Sequence, residues 1–429
     1  MSKCKVLFKD YGLFPYVAQL MAKSGYDVFY HTPWMSSYPS ANKAQIGEGL
    51  EGINSATNFY EAKRKLDKKN DIIVFFDVGE GAEQQDLREQ GYNVFGSGAA
   101  DILEMNRLKF KQVLKEIGLP VIPYKHITGI VNLVEYLKTH EDKFVKLSFY
   151  RGLRETFHHI SWKHSESIID KLKHDAKAIK RELEFIVEDP IDGEEGGNDW
   201  GCGRSGYLNT GIQGFEEKDK GYIAKILRLE DLPKPLAEVM DAIEPWLIKN
   251  GMQGMFSTEV RIEDLGPEIK VSDGLKPFWN DATMRGGSPP TELQCIMWTN
   301  LPEVIEAIAK GDDVDLIPED KNEIYGAQIV LKSDWARTET TCIEFPPKFK
   351  DNLKFMNLCK EKGNYLYIPQ DEDDVIGSAV GKGKTLIEAQ MKAIDAAESV
   401  IANGIHYDES VFDTLDETLE KTKKMGMKF

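Results

Sequence analysis

The chain lacks a long apolar run, a cysteine pattern and an excess of positive charge, and each shortage removes a class of function. Residues 1 to 30 interrupt their short apolar stretches with Lys3, Lys5, Lys9, Asp10 and Lys23, which leaves no continuous core for a signal peptide or membrane span. Five cysteines (Cys4, Cys202, Cys295, Cys342, Cys359) are scattered without CxxC spacing, which argues against both a disulfide framework and a zinc site. A reducing compartment fits best, and the expectation is a soluble, cytoplasmic protein with no membrane partner. Lys and Arg number 54 against 71 Asp and Glu, a formal charge of −17. So acidic a chain disfavours direct nucleic-acid binding unless its basic residues gather in one groove. No internal repeat or low-complexity tract is visible.

What the chain does have is 429 residues at 41% hydrophobic content, enough for two to four units with cores of their own. The first hundred residues alternate strand-like runs (Lys5 to Phe8, Asp27 to Tyr30, Asp71 to Phe76, Asn93 to Phe95) with helix-like ones (Tyr16 to Ser24, Tyr60 to Lys68). That order predicts a parallel sheet with crossover helices. Helical spacing recurs at Phe110, Val113, Leu114 and Ile117, closed by Gly118-Leu-Pro, and again at Ile130, Leu133, Val134 and Leu137. A strand at Lys143 to Ser148, a helix near Ser165 to Lys180 and a buried strand at Glu184 to Glu188 follow. The glycine-rich stretch Asp189 to Gly206 reads as a loop, and Asp231 to Asn250 as a helix. From about Ala327 a further unit offers strands at Gln328 to Leu331 and Tyr365 to Ile368 and a helix from Leu386 to Ile401. The charge-rich last dozen residues are expected to fray.

The most informative chemistry lies at Glu259 and at Asp281-Ala-Thr283-Met-Arg285. In an extended segment the spacing by two sends Asp281, Thr283 and Arg285 from one face. Glu259 interrupts an apolar strand, where a carboxylate is costly unless paired or metal-bound. Two carboxylates with phosphates and waters make a magnesium site, although a salt bridge from Arg285 to either acid across a hairpin would use the same residues. Lys146, inside a strand just before a Gly-containing turn, can clamp a phosphate or simply reach solvent. Arg107 opens a helix against its dipole, which adds a little weight to a functional role. Phe185-Ile-Val-Glu188-Asp-Pro-Ile191-Asp-Gly-Glu-Glu195 runs from an apolar strand into an acidic span. There, backbone near Ile191 can meet an adenine edge and a carboxylate the ribose, or the span is a solvated turn.

In order, Arg107, Lys146, Glu188 to Glu195, Glu259 and Asp281-x-Thr283-x-Arg285 resemble the ATP-grasp superfamily over roughly residues 1 to 310. Within it the likeness is to the glycinamide ribonucleotide synthetases (phosphoribosylamine-glycine ligases) of purine biosynthesis, through Glu188-Asp-Pro-Ile-Asp-Gly-Glu-Glu, Gly383-Lys-Thr-Leu-Ile-Glu-Ala and Asn403-Gly-Ile-His-Tyr. The resemblance implies an α/β (α+β) ATP-grasp fold. Its parts would be a parallel-sheet domain over 1–100, an ATP-grasp domain over 101–325 with a lid near 120–190, and a small α+β domain over 326–429. It implies ATP held by Arg107 and Lys146, an adenine hinge at Glu188 and Ile191, and Glu195 on the ribose. Magnesium, or manganese in its place, would be bound by Glu259 and Asp281, with Thr283 standing where asparagine is usual. Arg285 would be the catalytic residue that steadies the acyl phosphate, with Lys218 and Lys225 as extra phosphate contacts. The implied activity is a carboxylate-amine ligase releasing ADP and phosphate, with small-molecule carboxylate and amine partners, as a monomer or homodimer. The Gly193 to Gly206 segment and the loop after Lys146 would be its lids.

The likeness breaks where the first strand ends. Phe8-Lys-Asp-Tyr-Gly-Leu-Phe-Pro replaces the glycine-rich turn and Arg-Glu-His run that serve phosphoribosylamine, so the expected phosphate nest is absent and the amine is expected to be a different one. Gly286-Gly-Ser-Pro-Pro after Arg285 also departs from the usual residues. A phosphotransferase and a non-catalytic nucleotide-binding module remain as alternatives. His158 and His159 are assigned no role.

Overall fold

In the computed structural model the described residues are 3–33, 45–148, 156–266, 274–370, 373–424 and 429. Four sheets organise them. Near the N-terminus, five parallel strands lie in the order Ile53–Ser55, Asp27–His31, Lys5–Lys9, Ile72–Phe75, Asn93–Phe95. The central strands Lys5–Lys9 and Ile72–Phe75 are buried on both faces, as parallel strands covered by helices must be. Asp10, just past the strand Lys5–Lys9, turns the chain into helix Pro15–Lys23 by accepting the Phe14 amide at 2.9 Å.

A ten-stranded sheet dominates the rest. Its main path runs Leu275–Thr283, Gly254–Asp264, Glu194–Gly203, Thr210–Glu217, Gly221–Arg228, Tyr325–Ser333, Val375–Gly383 and Leu353–Phe355. Gly221 to Lys225 pair with Ile329 to Tyr325, so the sheet continues without interruption into the C-terminal strands. A separate four-stranded sheet, Tyr124–Thr128, Glu184–Glu188, Lys143–Leu147 and Thr156–His159, carries helices Ile130–Leu137 and Trp162–Ala176 around its own apolar cluster. Among the described residues no helix is long and apolar enough to cross a membrane.

Two expectations are corrected. The glycine-rich segment is not a loop: Glu194–Gly203 is a central strand, paired with Gly254–Asp264 on one side and Thr210–Glu217 on the other. Its sheet uses glycine where side chains from neighbours cross. A Cβ on Gly211 would sit 2.3 Å from the Trp200 ring, and one on Gly214 1.9 Å from Tyr222 Oη. Of the last dozen residues, those up to 424 belong to helix Val411–Lys424 instead of fraying: the helix buries Val411, Phe412, Leu415 and Leu419 and packs on Thr210–Glu217 and Gly221–Arg228. Phe429 reaches the rings of Phe215 and Tyr325.

Burial pushes the Asp10 carboxyl up to about 6 from 3.8, although Tyr30 and the Phe14 amide both donate to it. A raised acid takes up a proton on folding, so its contribution is full below pH 3.8 and lost as pH rises through about 6. Asp10→Asn removes that loss. Its stability relative to wild type, from urea denaturation, should therefore improve by about 3 kcal/mol between pH 3.5 and pH 7. A difference that stays constant over this range would show that Asp10 does not titrate this way.

Candidate functional site

Helix Arg107–Glu116 begins with Asn106 as its cap, the side chain accepting the Lys109 amide at 2.9 Å. Arg107 and Lys111, one turn apart, leave from neighbouring positions of one face. Arg107 donates to the Leu147 carbonyl at 2.8 Å and lies 3.4 Å from Asp281 Oδ2. Lys111 is buried and its ammonium stands 2.5 Å from Glu188 Oε1, while Lys146 reaches Glu188 Oε2 at 3.1 Å. Lys146 also donates to Asn280 Oδ1 at 3.0 Å, which brings it against the strand that carries Asp281. Four elements from different parts of the chain thus meet in one buried ionic cluster.

The electrostatics follow from that mutual pairing. Burial alone would raise Glu188, but Lys146 and Lys111 outweigh it and hold its carboxyl below the usual range. Burial would likewise raise Asp281, and Arg107, Lys146 and Lys111 overcome it. At Lys146 burial is outweighed by Glu188 and Asp281, so the ammonium is kept. Glu259 behaves in the opposite way. Burial, then the charges of Asp281, Glu216 and Glu195, push it well above the ordinary carboxyl value, because Glu259 has acids for neighbours where Asp281 has cations.

Glu259 and Asp281 are direct partners across strands Gly254–Asp264 and Leu275–Thr283. Beside them opens a cavity of about 220 Å³ whose lining includes Glu195, Lys218, Glu259, Thr283 and Arg285. Glu195 is paired with Arg261 at 3.0 Å. Arg285 lies beyond the end of its strand and is held by Glu104 at 3.0 Å and Asp77 at 3.5 Å, both from the N-terminal part of the chain. Ile191 sits, partly exposed, on the link between strands Glu184–Glu188 and Glu194–Gly203. Thr283 lines the same cavity as Glu259 and faces Ser257 across the sheet.

Lys225 is the sequence candidate that the fold does not bring here. Tyr222 lines the cavity, and with alternating side chains Lys225 leaves strand Gly221–Arg228 on the opposite face, where its ammonium stands 5.6 Å from the Tyr325 ring centre. The role of Glu188 as an adenine contact is also constrained, since both carboxylate oxygens face lysines. The loop after Lys146, residues 149–155, lies outside the described residues. His159 is buried between Ser165 Oγ and the Leu137 carbonyl, at 2.8 and 3.0 Å, a role within the small sheet's core.

Sequence reading missed Lys111 and Asp199. The signal for Lys111 was its four-residue spacing from Arg107. Asp199, whose carboxyl burial pushes up to about 7 against hydrogen bonds from Ser257 and Tyr222, stood inside the segment taken for a loop. The oxygen-rich set of Glu259, Asp281 and Thr283 suits a hard divalent cation, and the crowding of acids around Glu259 would be relieved by one.

No protein-family model matches the chain, and no curated protein matches it. Solved structures do. Phosphoribosylamine-glycine ligase from Thermotoga maritima aligns over 94% of this chain and 98% of its own, with 17% identity and a TM-score of 0.66. A biotin carboxylase from Campylobacter jejuni, solved as a β-γ-ATP complex, aligns over 96% and 98%, at 13% identity and a TM-score of 0.65. The chain has the ATP-grasp fold. An L-amino acid ligase from Bacillus licheniformis shares it over 95% of this chain and 100% of that one, at 13% identity and a TM-score of 0.60.

Replacing Glu188 would strand two buried ammonium groups in the centre of this ATP-grasp core. Glu188→Gln should cost about 3–5 kcal/mol in urea denaturation, and adding Lys111→Met should restore part of that loss. Strict additivity of the two substitutions would mean that Lys111 and Glu188 are not coupled.

Proposed function

We propose that the protein is an ATP-dependent carboxylate-amine ligase that works through an acyl phosphate and releases ADP and phosphate. The observation that carries this reading is the convergence of Arg107, Lys111 and Lys146 on one side of Asp281, with Glu259, Thr283 and Arg285 around a cavity on the other. Cations at one end and a cluster of carboxylates at the other are what a bound nucleoside triphosphate with its metal requires. The solved relatives, among them an enzyme joining phosphoribosylamine to glycine and one acting on L-amino acids, favour a small amino acid as the carboxylate.

In the proposed reaction an oxygen of the substrate carboxylate attacks the γ-phosphorus of ATP, the bond to the β-phosphate oxygen breaks, and ADP leaves. The amine then attacks the acyl carbon, inorganic phosphate departs, and the amine gives up a proton to form the amide. Arg107 and Lys146 hold phosphate oxygens and balance their charge, so the chain's contribution is positioning and electrostatics more than covalent chemistry. Magnesium, or manganese in its place, would sit on Glu259 and Asp281 with Thr283 near by, and would neutralise charge on the transferring phosphoryl group. Arg285, oriented by Glu104 and Asp77, faces the acyl group and steadies its developing oxyanion. Glu195 and the backbone near Ile191 take the ribose and adenine. Lys218 lies at the cavity and is kept as a further phosphate contact, whereas Lys225 is not.

The departure from phosphoribosylamine ligases has a structural counterpart. Lys9, where that family has its glycine-rich turn, is engaged with Glu80 at 2.6 Å and Glu83 at 2.5 Å. An acceptor other than phosphoribosylamine is therefore proposed. The test is ADP release with ATP, magnesium and a panel of amino acids, each with and without candidate amines, followed by mass spectrometry of the products. Turnover that needs both a carboxylate and an amine is expected, and Lys146→Ala and Asp281→Ala should each lower it by roughly 100-fold. Intact ATP binding with no turnover on any carboxylate would favour a binding module, and activity persisting in both variants would remove the site assignment.

A further inference from the structure

The larger cavity, about 530 Å³, shares no lining residue with the proposed nucleotide site. It opens between helix Pro15–Lys23 and the C-terminal segment from Phe345 to Tyr365. One wall is aromatic: the Phe345 ring stacks with Tyr365 at 5.5 Å and 20° and with Phe355 at 5.7 Å and 30°. Its acids are already engaged. Asp351 is bonded to Lys23 at 3.0 and 3.1 Å. Glu51 accepts from Lys360 and, at 2.8 Å, from Tyr365 Oη, with Lys350 at 3.8 Å.

Lys354 is different. It lies on strand Leu353–Phe355, lines the cavity and is only 9% exposed. Among the described residues its side chain makes no hydrogen bond or ion pair. Burial pushes its ammonium down from 10.5, outweighing the opposing charges of Cys295, Asp351 and Glu292, none of which bonds to it. Such a group is costly to keep unless something completes it.

We propose that this cavity is a second small-molecule site, taking a ligand with a flat apolar body against Phe345 and Tyr365 and one carboxylate or phosphate on Lys354. The volume suits a small organic molecule, and Lys354, a lining lysine without an ion pair among the described residues, sets the charge it accepts.

The test uses the full chain without ATP, so its outcome is independent of the proposed ligase activity. Benzoate, phenyl phosphate and neutral benzamide are titrated by calorimetry at millimolar concentrations. At least one anion should bind tenfold or more tightly than benzamide, and the better of the two identifies the head group. Lys354→Met should abolish that preference, Lys354→Arg should retain it, and unliganded Lys354→Met should melt no lower than wild type. Equal affinities for anions and benzamide in wild type, a preference that survives Lys354→Met, or failure of Lys354→Met to fold would each overturn the proposal.

Discussion

Charge has to be neutralised where water is scarce, and the arrangement of the proposed nucleotide site depends on how this chain does it. Lys111 and Lys146 enter the interior only because Glu188 stands between them. Burying any of the three alone would be strongly unfavourable, so the helix Arg107–Glu116, the small four-stranded sheet and the strand of Asp281 must arrive together. Glu188 thereby works as the electrostatic keystone of the site. A surplus remains at each end: Arg107 and Lys146 present positive charge towards Asp281, while Glu259 meets further acids. A ligand carrying phosphates and a divalent cation would compensate both ends at once.

Much of this was legible in residue types and periods. The parallel alternation of the first hundred residues and the two-residue phase of Asp281 and Thr283 follow from burial on two faces and on one. What could not be read was the meaning of glycine. Between Gly193 and Gly206 its abundance looks like loop chemistry, yet Gly197 lies in a paired strand, at a position where a Cβ would meet the Thr258 carbonyl at 3.0 Å. Lys225 failed for a related reason. Its role came from resemblance, and only the sheet's alternation, fixed by Tyr222 facing the cavity, reveals that it leaves from the wrong side. Lys111 was hidden because a lysine on an amphipathic helix ordinarily marks the solvated face, and nothing local announces that Glu188 will cover it.

The C-terminal strands are more than an appendage to this core. Ser288, which lines the same cavity as Glu259, donates to Glu292, which accepts Gln328 Nε2 at 3.1 Å, and the same nitrogen reaches Ser378 Oγ at 2.9 Å. Glu292 and Gln328 are wholly buried, so these bonds are costly to break. Ser378 is also the strand partner of Lys354. A buried polar chain therefore joins the turn after Arg285, through helix Thr291–Met297, to strands Tyr325–Ser333 and Val375–Gly383, the second of which pairs with the Lys354 strand at the wall of the second cavity.

The position of Asp281 itself depends on one irregular residue. Strands Gly254–Asp264 and Leu275–Thr283 pair Glu259 with Asp281 but Val260 with Trp279, leaving Asn280 as an extra residue. Without that bulge Trp279 and Asp281, two apart, would share a face, and either the indole would fill the cavity or the carboxylate would enter the apolar core. With it, Trp279 turns inward against Phe110, ring centres 5.0 Å apart, and Asp281 turns outward beside Glu259. Phe110 belongs to the helix that carries Arg107 and Lys111, so the same packing sets those cations against the acid. The displaced Asn280 offers its side-chain oxygen to Lys146 at 3.0 Å. One inserted residue thus keeps the sheet's core apolar, exposes the proposed metal ligand and ties down the lysine that faces it.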